Sequence, residues 1–269
     1  MPEGPEVKKT VDWLQNFKGK TLETVGIISG RYGKKKEIPG WERFNYPVLL
    51  KEIKCKGKFI YFTFSDEKGD CFMFNSLGMT GMWTNVHNKH ARVCFFFKDA
   101  EPLYYTDVRN FGTLKIVDSL NVLNKKLDSL GPDVLNCNID CMGFKEQFIR
   151  KPNKTIAECL MNQSVVSGIG NYLKSEILYA SKISPYRQIK DITLKEWYEL
   201  YSNSISIPLT SYNLGGATIK DYRQPNGKKG NFSRRFAVYN CKTDPKNNII
   251  IKETTKDKRS TYWVPEIQK

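Results

Sequence analysis

Hydrophobic periodicity changes twice after residue 20 in this chain of 269 residues, and those changes constrain the fold more than any single motif. Between residue 21 and about 117, short β-branched and aromatic runs alternate with Gly, Asp, Asn and Lys, as in Phe59-Ile60-Tyr61-Phe62-Thr63-Phe64 and Val93-Cys94-Phe95-Phe96-Phe97. That pattern predicts a two-layer antiparallel β-sandwich. From Phe144 to about Asn213 the apolar spacing is helical, interrupted at Ser167-Gly168-Ile169-Gly170-Asn171. The tail from about 236 returns to two β-rich runs around Asp244-Pro245-Lys246-Asn247-Asn248, a hairpin signal. Ahead of all this, Val7, Val11 and Leu14 recur at helical spacing before Gly19 and predict an amphipathic first helix. The class is α+β. Residues 1–132 form the sandwich block with its helix, 133–145 read as a linker entered through Leu130-Gly131-Pro132-Asp133, 146–235 form a helical block, and 236–269 a terminal β block.

Composition selects among partners. Lysine and arginine number 43 against 28 aspartates and glutamates, a net charge of +15 that attracts polyanions. The length supports two domains with cores, and the 40% hydrophobic content excludes a wholly disordered tail. No run approaches the roughly 18 to 20 apolar residues of a membrane span. The N-terminus has no basic segment followed by an apolar one, so an intracellular, non-secreted protein is expected. The seven cysteines, at 55, 71, 94, 137, 141, 159 and 241, are odd in number and scattered, which fits reduced thiols. Cys137 and Cys141 are the only close pair and, with no partner pair, read as structural.

Two local elements carry chemistry. In Met1-Pro2-Glu3-Gly4-Pro5-Glu6, removal of Met1 leaves the secondary amine of Pro2 as the free end of the chain, next to a carboxylic acid. Such an amine can attack carbon and collapse to an iminium, as enzymic lysines do with carbonyls. An α-amino group titrates at about 7.7 to 8.0, and neighbouring cations lower this further, so free base is available near neutral pH. The same residues also read simply as a helix start in which Pro2 and Pro5 pre-set the first turn. In Gly168-Ile169-Gly170-Asn171, two glycines permit a tight turn, and the following helix presents unpaired amides suited to a phosphate. An ordinary helix-turn-helix corner has the same residues.

Five motifs then occur in a shared order: Pro2-Glu3-Gly4-Pro5-Glu6, Lys58 within Lys56-Gly57-Lys58-Phe59, Leu77-Gly78-Met79-Thr80-Gly81, Thr106-Asp107-Val108-Arg109-Asn110-Phe111-Gly112, and Gly168-Ile169-Gly170-Asn171. Together they make the chain resemble, along essentially its whole length, the Fpg/Nei family of DNA glycosylases. The resemblance implies an N-terminal β-sandwich, a helix–two-turn–helix domain and a C-terminal β-hairpin finger. It implies that Pro2 is the nucleophile at the sugar C1′, that Glu3 protonates the sugar oxygen or a bridging water, and that Glu6 supports the site. Lys58, Asn171 and Arg259 correspond to residues that grip phosphates flanking the lesion, and Lys58 and Arg259 also to residues assisting elimination. Met79, Arg109 and Phe111 correspond to the residues that fill the gap left by a flipped base, two apolar wedges and one hydrogen-bonding arginine. His90, Arg92, Arg150 and Lys154 are candidates for further DNA contacts. The implied partner is double-stranded DNA with oxidised bases or abasic sites, bound by a monomer without a cofactor.

The tail departs from the family pattern. Where most members carry the cysteine pairs of a zinc finger, this chain has Lys246, Ile249, Val264 and Ile267, although Val238-Tyr239, Pro245 and Arg259-Ser260-Thr261-Tyr262-Trp263 are retained. None of those four residues ligates zinc. The finger is similar to the zincless fingers of vertebrate Nei-like, plant Fpg and giant-virus members, with packing of Trp263, Val264 and Ile267 expected in place of a metal. Gly215-Gly216-Ala217-Thr218-Ile219-Lys220-Asp221-Tyr222 resembles the lesion-facing loop of Fpg enzymes, which favours oxidised purines. The finger instead favours oxidised pyrimidines. Formamidopyrimidines are the expected shared substrate, with 8-oxoguanine and oxidised pyrimidines left open. A catalytically silent DNA-binding relative and a helix–two-turn–helix module for structured RNA remain alternatives, weighed down by the joint presence of Pro2, Glu3 and Lys58.

Overall fold

The computed structural model describes residues 1–35, 37–136, 138–219 and 222–269. Cys137 of the close thiol pair and Lys220 and Asp221 of the glycine-rich loop lie outside the described residues. The chain forms two compact units, one of Met1–Pro2, Glu6–Ser129 and Ala217–Gly230, the other of Glu3–Pro5, Leu130–Gly216 and Asn231–Lys269.

The first helix, α1 (Gly4–Leu14), buries Val7, Val11 and Leu14 to 1%, 3% and 0% exposure, the stripe its spacing predicts. It is followed by β1 (Thr21–Ile27), α2 (Gly30–Lys35), β2 (Val48–Lys56), β3 (Phe59–Asp66), β4 (Gly69–Ser76), β5 (Gly81–Thr84), β6 (Ala91–Phe97), β7 (Leu103–Asp107), β8 (Thr113–Val117) and α3 (Leu120–Asp128). The eight strands run β5-β7-β6-β1-β2-β3-β4-β8, with antiparallel neighbours throughout. Strands remote in that order nevertheless touch. Trp83 of β5 donates its indole N–H to Asn75 Oδ1 of β4 at 2.9 Å, and its ring lies 5.3 Å from that of Phe62 in β3. The sheet therefore closes on itself as two layers. Register shifts at Leu22/Thr24, Leu50/Glu52 and Ala91/Val93 supply the bends that closure requires.

The second unit holds α4 (Cys141–Ile149), α5 (Ile156–Met161), α6 (Asn171–Ala180), α7 (Leu194–Asn213), β9 (Ile251–Thr254) and β10 (Ser260–Trp263). Helix α4 begins inside the stretch that composition marks as a linker, because Asp140 accepts the Gly143 amide at 2.8 Å and caps it. Capping boxes start α5 (Thr155 with Glu158) and α7 (Thr193 with Glu196). Helix α6 has only Gly170 at its cap, with no side-chain bond from that residue. Its N-terminal amides are answered from elsewhere, as described below.

The terminal hairpin is displaced from where its turn signal lies. Around Asp244–Asn248 the chain makes only a turn with one bridge, Thr243 to Ile249, while the paired strands β9 and β10 close through residues 255–259. The Asp244 carboxylate explains the difference. It accepts the Lys246 and Asn248 amides at 2.8 Å each, the Asn248 side chain at 2.9 Å and the Tyr179 hydroxyl at 3.0 Å, curling the segment too tightly for a ladder. Below it Val238, Tyr262 and Val264 form a small core, with Tyr179, Tyr239, Ile250 and Ile267 against it. Val264 and Ile267 pack as expected, but Trp263 does not join them. Alternate residues of a strand face the same way, so Tyr262 and Val264 point inward and Trp263 points out, where it meets the Tyr186 ring at 5.8 Å and donates to Glu253 at 2.5 Å.

Candidate active site

In the second unit the most specific arrangement starts from Glu3. Its side chain is 2% exposed, and its carboxylate accepts the amide of Gly170 at 2.7 Å, of Tyr172 at 3.0 Å and of Leu173 at 3.3 Å. These are the donors that α6 lacks an internal partner for, so a residue at the start of the chain caps a helix that begins near residue 171. Three N–H donors at a helix N-terminus fix the position and orientation of the Glu3 carboxylate. Gly170 is required by space: a Cβ there would stand 2.2 Å from the Glu3 carboxyl carbon. Gly168, at φ +99°, accepts the Gly4 amide at 2.8 Å and anchors the same segment. Pro2 precedes Glu3, is buried, and has its nitrogen in the peptide bond to Met1.

Along α6, Asn171 donates its side-chain amide to the Ser260 carbonyl of β10 at 2.8 Å. One hydrogen of that NH2, the group expected at a DNA phosphate, is thereby bound to the terminal hairpin, and the second is left for a further acceptor. Arg259 lies exposed in the turn before β10. Arg150, at the end of α4, is exposed as well, and Lys154 pairs with Glu158 at 2.9 Å beside a pocket of about 360 Å³ that also includes Lys151, Lys256 and Lys258. Two ionisable residues of α6 escaped the sequence reading. Lys174 is fully buried against Asp257 at 2.6 Å. Glu176 accepts the backbone amides of Ala237, Val238 and Tyr239 at 2.8 to 3.0 Å, and burial raises its pKa against the pull of those three bonds. The available signal was their position: a helix whose remaining faces are apolar must bury its charges with partners.

In the first unit, Glu6 is 1% exposed and accepts the Ala217 amide at 2.7 Å, which ties the glycine-rich loop to α1. The nearby Tyr222 hydroxyl has its pKa raised, by burial first and by the Glu6 charge second. Lys58 sits half-buried in the two-residue turn between β2 and β3, where Gly57 adopts φ +57°.

Met79, Arg109 and Phe111 come together on two adjacent loops of this unit. Phe111 is 58% and Met79 36% exposed, and the Arg109 guanidinium reaches the Met79 sulfur at 3.6 Å. Exposed apolar tips of this kind serve contacts rather than core packing. Asp107, 1% exposed, organises both loops: one oxygen accepts the Thr80 hydroxyl at 2.5 Å and the Arg109 amide at 3.2 Å, the other the Gly112 amide at 2.7 Å. Gly78, at φ +58°, approaches so closely that a Cβ would lie 2.7 Å from the Gly112 nitrogen. Arg92 donates to the Asp107 carbonyl at 2.7 Å and to Ser29 Oγ at 2.8 Å, so two of its nitrogens hold the loop from within instead of facing outward. The half-buried His90 accepts the Asp107 amide through its carbonyl at 3.0 Å. Thr80 and Asp107 stand within motifs read from the sequence, but their bond to each other had no linear signature.

The zinc-ligand positions of the related fingers hold side chains that do not fit the metal. Ile249 is 70% exposed, Val264 is fully buried in the small core, and Lys246 uses its amide in the Asp244 turn. Among the described residues no group of three His, Cys, Asp or Glu side chains could hold an ion. Purified protein is expected to carry no stoichiometric zinc and to keep its fold and activity in chelator. Metal analysis giving one tight zinc per chain would overturn this reading of the finger.

Comparison with known proteins agrees with this geometry. Residues 1–114 match the formamidopyrimidine-DNA glycosylase N-terminal domain, 130–223 the formamidopyrimidine-DNA glycosylase H2TH domain, and 225–269 the C-terminal domain of the same glycosylase. The chain is 32% identical to a formamidopyrimidine-DNA glycosylase of Prochlorococcus marinus, with all of both proteins covered. Among solved structures it is similar to the MutM (Fpg) protein of Thermus thermophilus, with a TM-score of 0.87 and 26% identity over 99% of this chain and 98% of that one. It is also similar to a Lactococcus lactis Fpg mutant bound to Fapy-dG-containing DNA, with a TM-score of 0.86 and 25% identity over the whole of both chains. With three domains matched in order and a relative aligned from end to end, the chain belongs to the Fpg/Nei family of formamidopyrimidine-DNA glycosylases.

Proposed function

We infer that this protein excises oxidised bases from double-stranded DNA and cuts the strand at the resulting abasic site. The observation that carries this reading is the Glu3 carboxylate seated on the Gly170, Tyr172 and Leu173 amides, directly after a proline that becomes a free secondary amine when Met1 is removed. The Pro2 nitrogen attacks C1′ of the damaged nucleotide, and the bond from C1′ to the base breaks, the base leaving with the electron pair and taking a proton from water. Glu3 takes the proton released from the Pro2 nitrogen and returns it to the sugar oxygen as the ring opens, directly or through a water. The product is an iminium joining Pro2 to the open sugar.

The iminium acidifies the C2′ proton. Loss of that proton breaks the bond from C3′ to the 3′ phosphate oxygen, and a second elimination breaks the bond from C5′ to the 5′ phosphate oxygen. Hydrolysis releases Pro2, leaving a one-nucleotide gap with phosphate at both ends. Lys58 and Arg259 bind the flanking phosphates and assist the eliminations, while Glu6 holds the loop that begins at Ala217. Asn171, held by one amide hydrogen on Ser260, offers the other to a flanking phosphate. Met79 and Phe111 wedge into the vacated stack, and Arg109 hydrogen-bonds the orphaned partner base. Arg150, Lys154 and His90 extend the phosphate contacts, which the net charge of +15 favours.

Formamidopyrimidines are the preferred substrate class, a choice supported by the Lactococcus lactis Fpg relative that binds Fapy-dG DNA. The test is a duplex carrying one formamidopyrimidine and a matched duplex carrying an abasic site, each incubated with borohydride. Free base from the first and a covalent protein–DNA adduct from both are expected. Binding to both duplexes with neither product would identify a silent damaged-DNA binder.

A further inference from the structure

We propose that Lys174 is a positioning residue of the reaction: its buried ion pair with Asp257 sets the turn from which Arg259 meets DNA. This inference rests on the function proposed above and adds to it a residue that touches neither substrate nor nucleophile. Lys174 lies one turn into α6 with its side chain at 0% exposure, and Asp257, at 4%, lies in the turn between β9 and β10. The ammonium meets one Asp257 oxygen at 2.6 Å. The other oxygen accepts the Thr255 hydroxyl at 2.5 Å and the Arg259 amide at 3.4 Å. The Thr255 hydroxyl also meets the Thr261 hydroxyl at 2.6 Å, and the Thr255 backbone amide donates to the Arg259 carbonyl at 3.1 Å. Arg259 is therefore gripped at its N–H and its C=O by one hydrogen-bonded hub, and Lys174 anchors that hub to the helix whose first amides hold Glu3.

Stability alone does not account for such a pair. A buried ion pair is often no more stabilising than apolar residues of the same shape, so what it adds is geometry and the placement of charge. The left-handed Lys258, at φ +60°, indicates a turn that needs holding. Lys174 is also within electrostatic reach of both groups it is proposed to coordinate. Burial lowers its pKa, Asp257 and Glu3 oppose that shift, and Arg259 adds to it.

The experiment compares wild type, Arg259→Ala, Lys174→Met, Lys174→Arg, the double variant Lys174→Met with Arg259→Ala, and the apolar replacement Lys174→Met with Asp257→Leu. DNA binding over a salt series and single-turnover excision are measured alongside thermal unfolding. Arg259→Ala is expected to lower the log–log salt slope by about one unit and to slow excision by about tenfold or more, as loss of a charged hydrogen bond does. Lys174→Met is expected to reproduce both effects, to add nothing in the Arg259→Ala background, and to be restored by Lys174→Arg. The apolar replacement separates positioning from folding, because it should unfold near the wild-type temperature and still lose slope and rate. An apolar replacement with wild-type slope and rate, or effects of Lys174→Met that multiply with those of Arg259→Ala, would overturn the inference. Wild-type excision with a slope that does not depend on Arg259 would overturn it too, leaving the glycosylase reading intact. Absence of excision and of a trapped adduct in wild type would instead overturn the underlying function.

Discussion

Pro2→Gly, or retention of Met1, is expected to reduce the borohydride-trapped adduct on abasic DNA to background or close to it, with DNA affinity changed no more than a few-fold. In the Met1-retaining protein the Pro2 nitrogen is an amide, its lone pair is delocalised, and it cannot add to C1′. Glycine at the terminus keeps an amine but loses the ring that fixes it beside Glu3. Neither change touches Lys58, Met79, Arg109 or Arg259, so the proposed DNA contacts persist. Gel separation of the adduct and titration of a labelled duplex measure the two quantities independently. Equal trapping by the Met1-retaining protein would remove Pro2 from the mechanism.

Glu3→Gln is expected to slow base excision by about 10²- to 10⁴-fold, the range contributed by a positioned acid or base, and to affect cutting of a pre-formed abasic site far less. In the proposed mechanism an abasic sugar has no base to expel and can react through its open aldehyde, whereas the intact nucleotide needs the ring-opening proton that Glu3 relays. The substitution also disturbs α6. The amide NH2 must face one of the Gly170, Tyr172 or Leu173 donors that now meet carboxylate oxygens. Leaving such a buried group unpaired costs about 1–3 kcal/mol. Thermal unfolding reads that cost separately from the rates. Equal losses on both substrates would assign Glu3 to the iminium step, or to capping α6 alone.

Much of this molecule was legible in linear form because periodicity and residue chemistry are local properties. Val7, Val11 and Leu14 lie on the buried face that their spacing describes, and the runs Phe59–Phe64 and Val93–Phe97 lie within β3 and β6. Met79, Arg109 and Phe111 belong to motifs whose order in the chain already pointed to DNA. The errors were local too. The hairpin signal at Asp244–Asn248 was turn chemistry without strands to join, because the aspartate side chain bonds its own loop. The stretch 133–145 looked like a linker because Leu130-Gly131-Pro132-Asp133 breaks the preceding pattern, yet Asp140 caps a helix from Cys141 within it.

What the sequence determined by itself is which reactive groups exist and in what order: a proline and a glutamate at the start, a basic surface, a finger without thiolates. What only the tertiary structure decided is which of them hold one another. Glu3 meets the Gly170 amide 167 residues away, Asn171 meets Ser260 across 89, and Lys174 meets Asp257 across 83. Such partners leave no periodic trace, because burial requires only that each polar group find some partner, not which one. Packing makes that choice, and it also gives Asn171 and Arg92 partners within the protein, Ser260 for the one and Asp107 and Ser29 for the other.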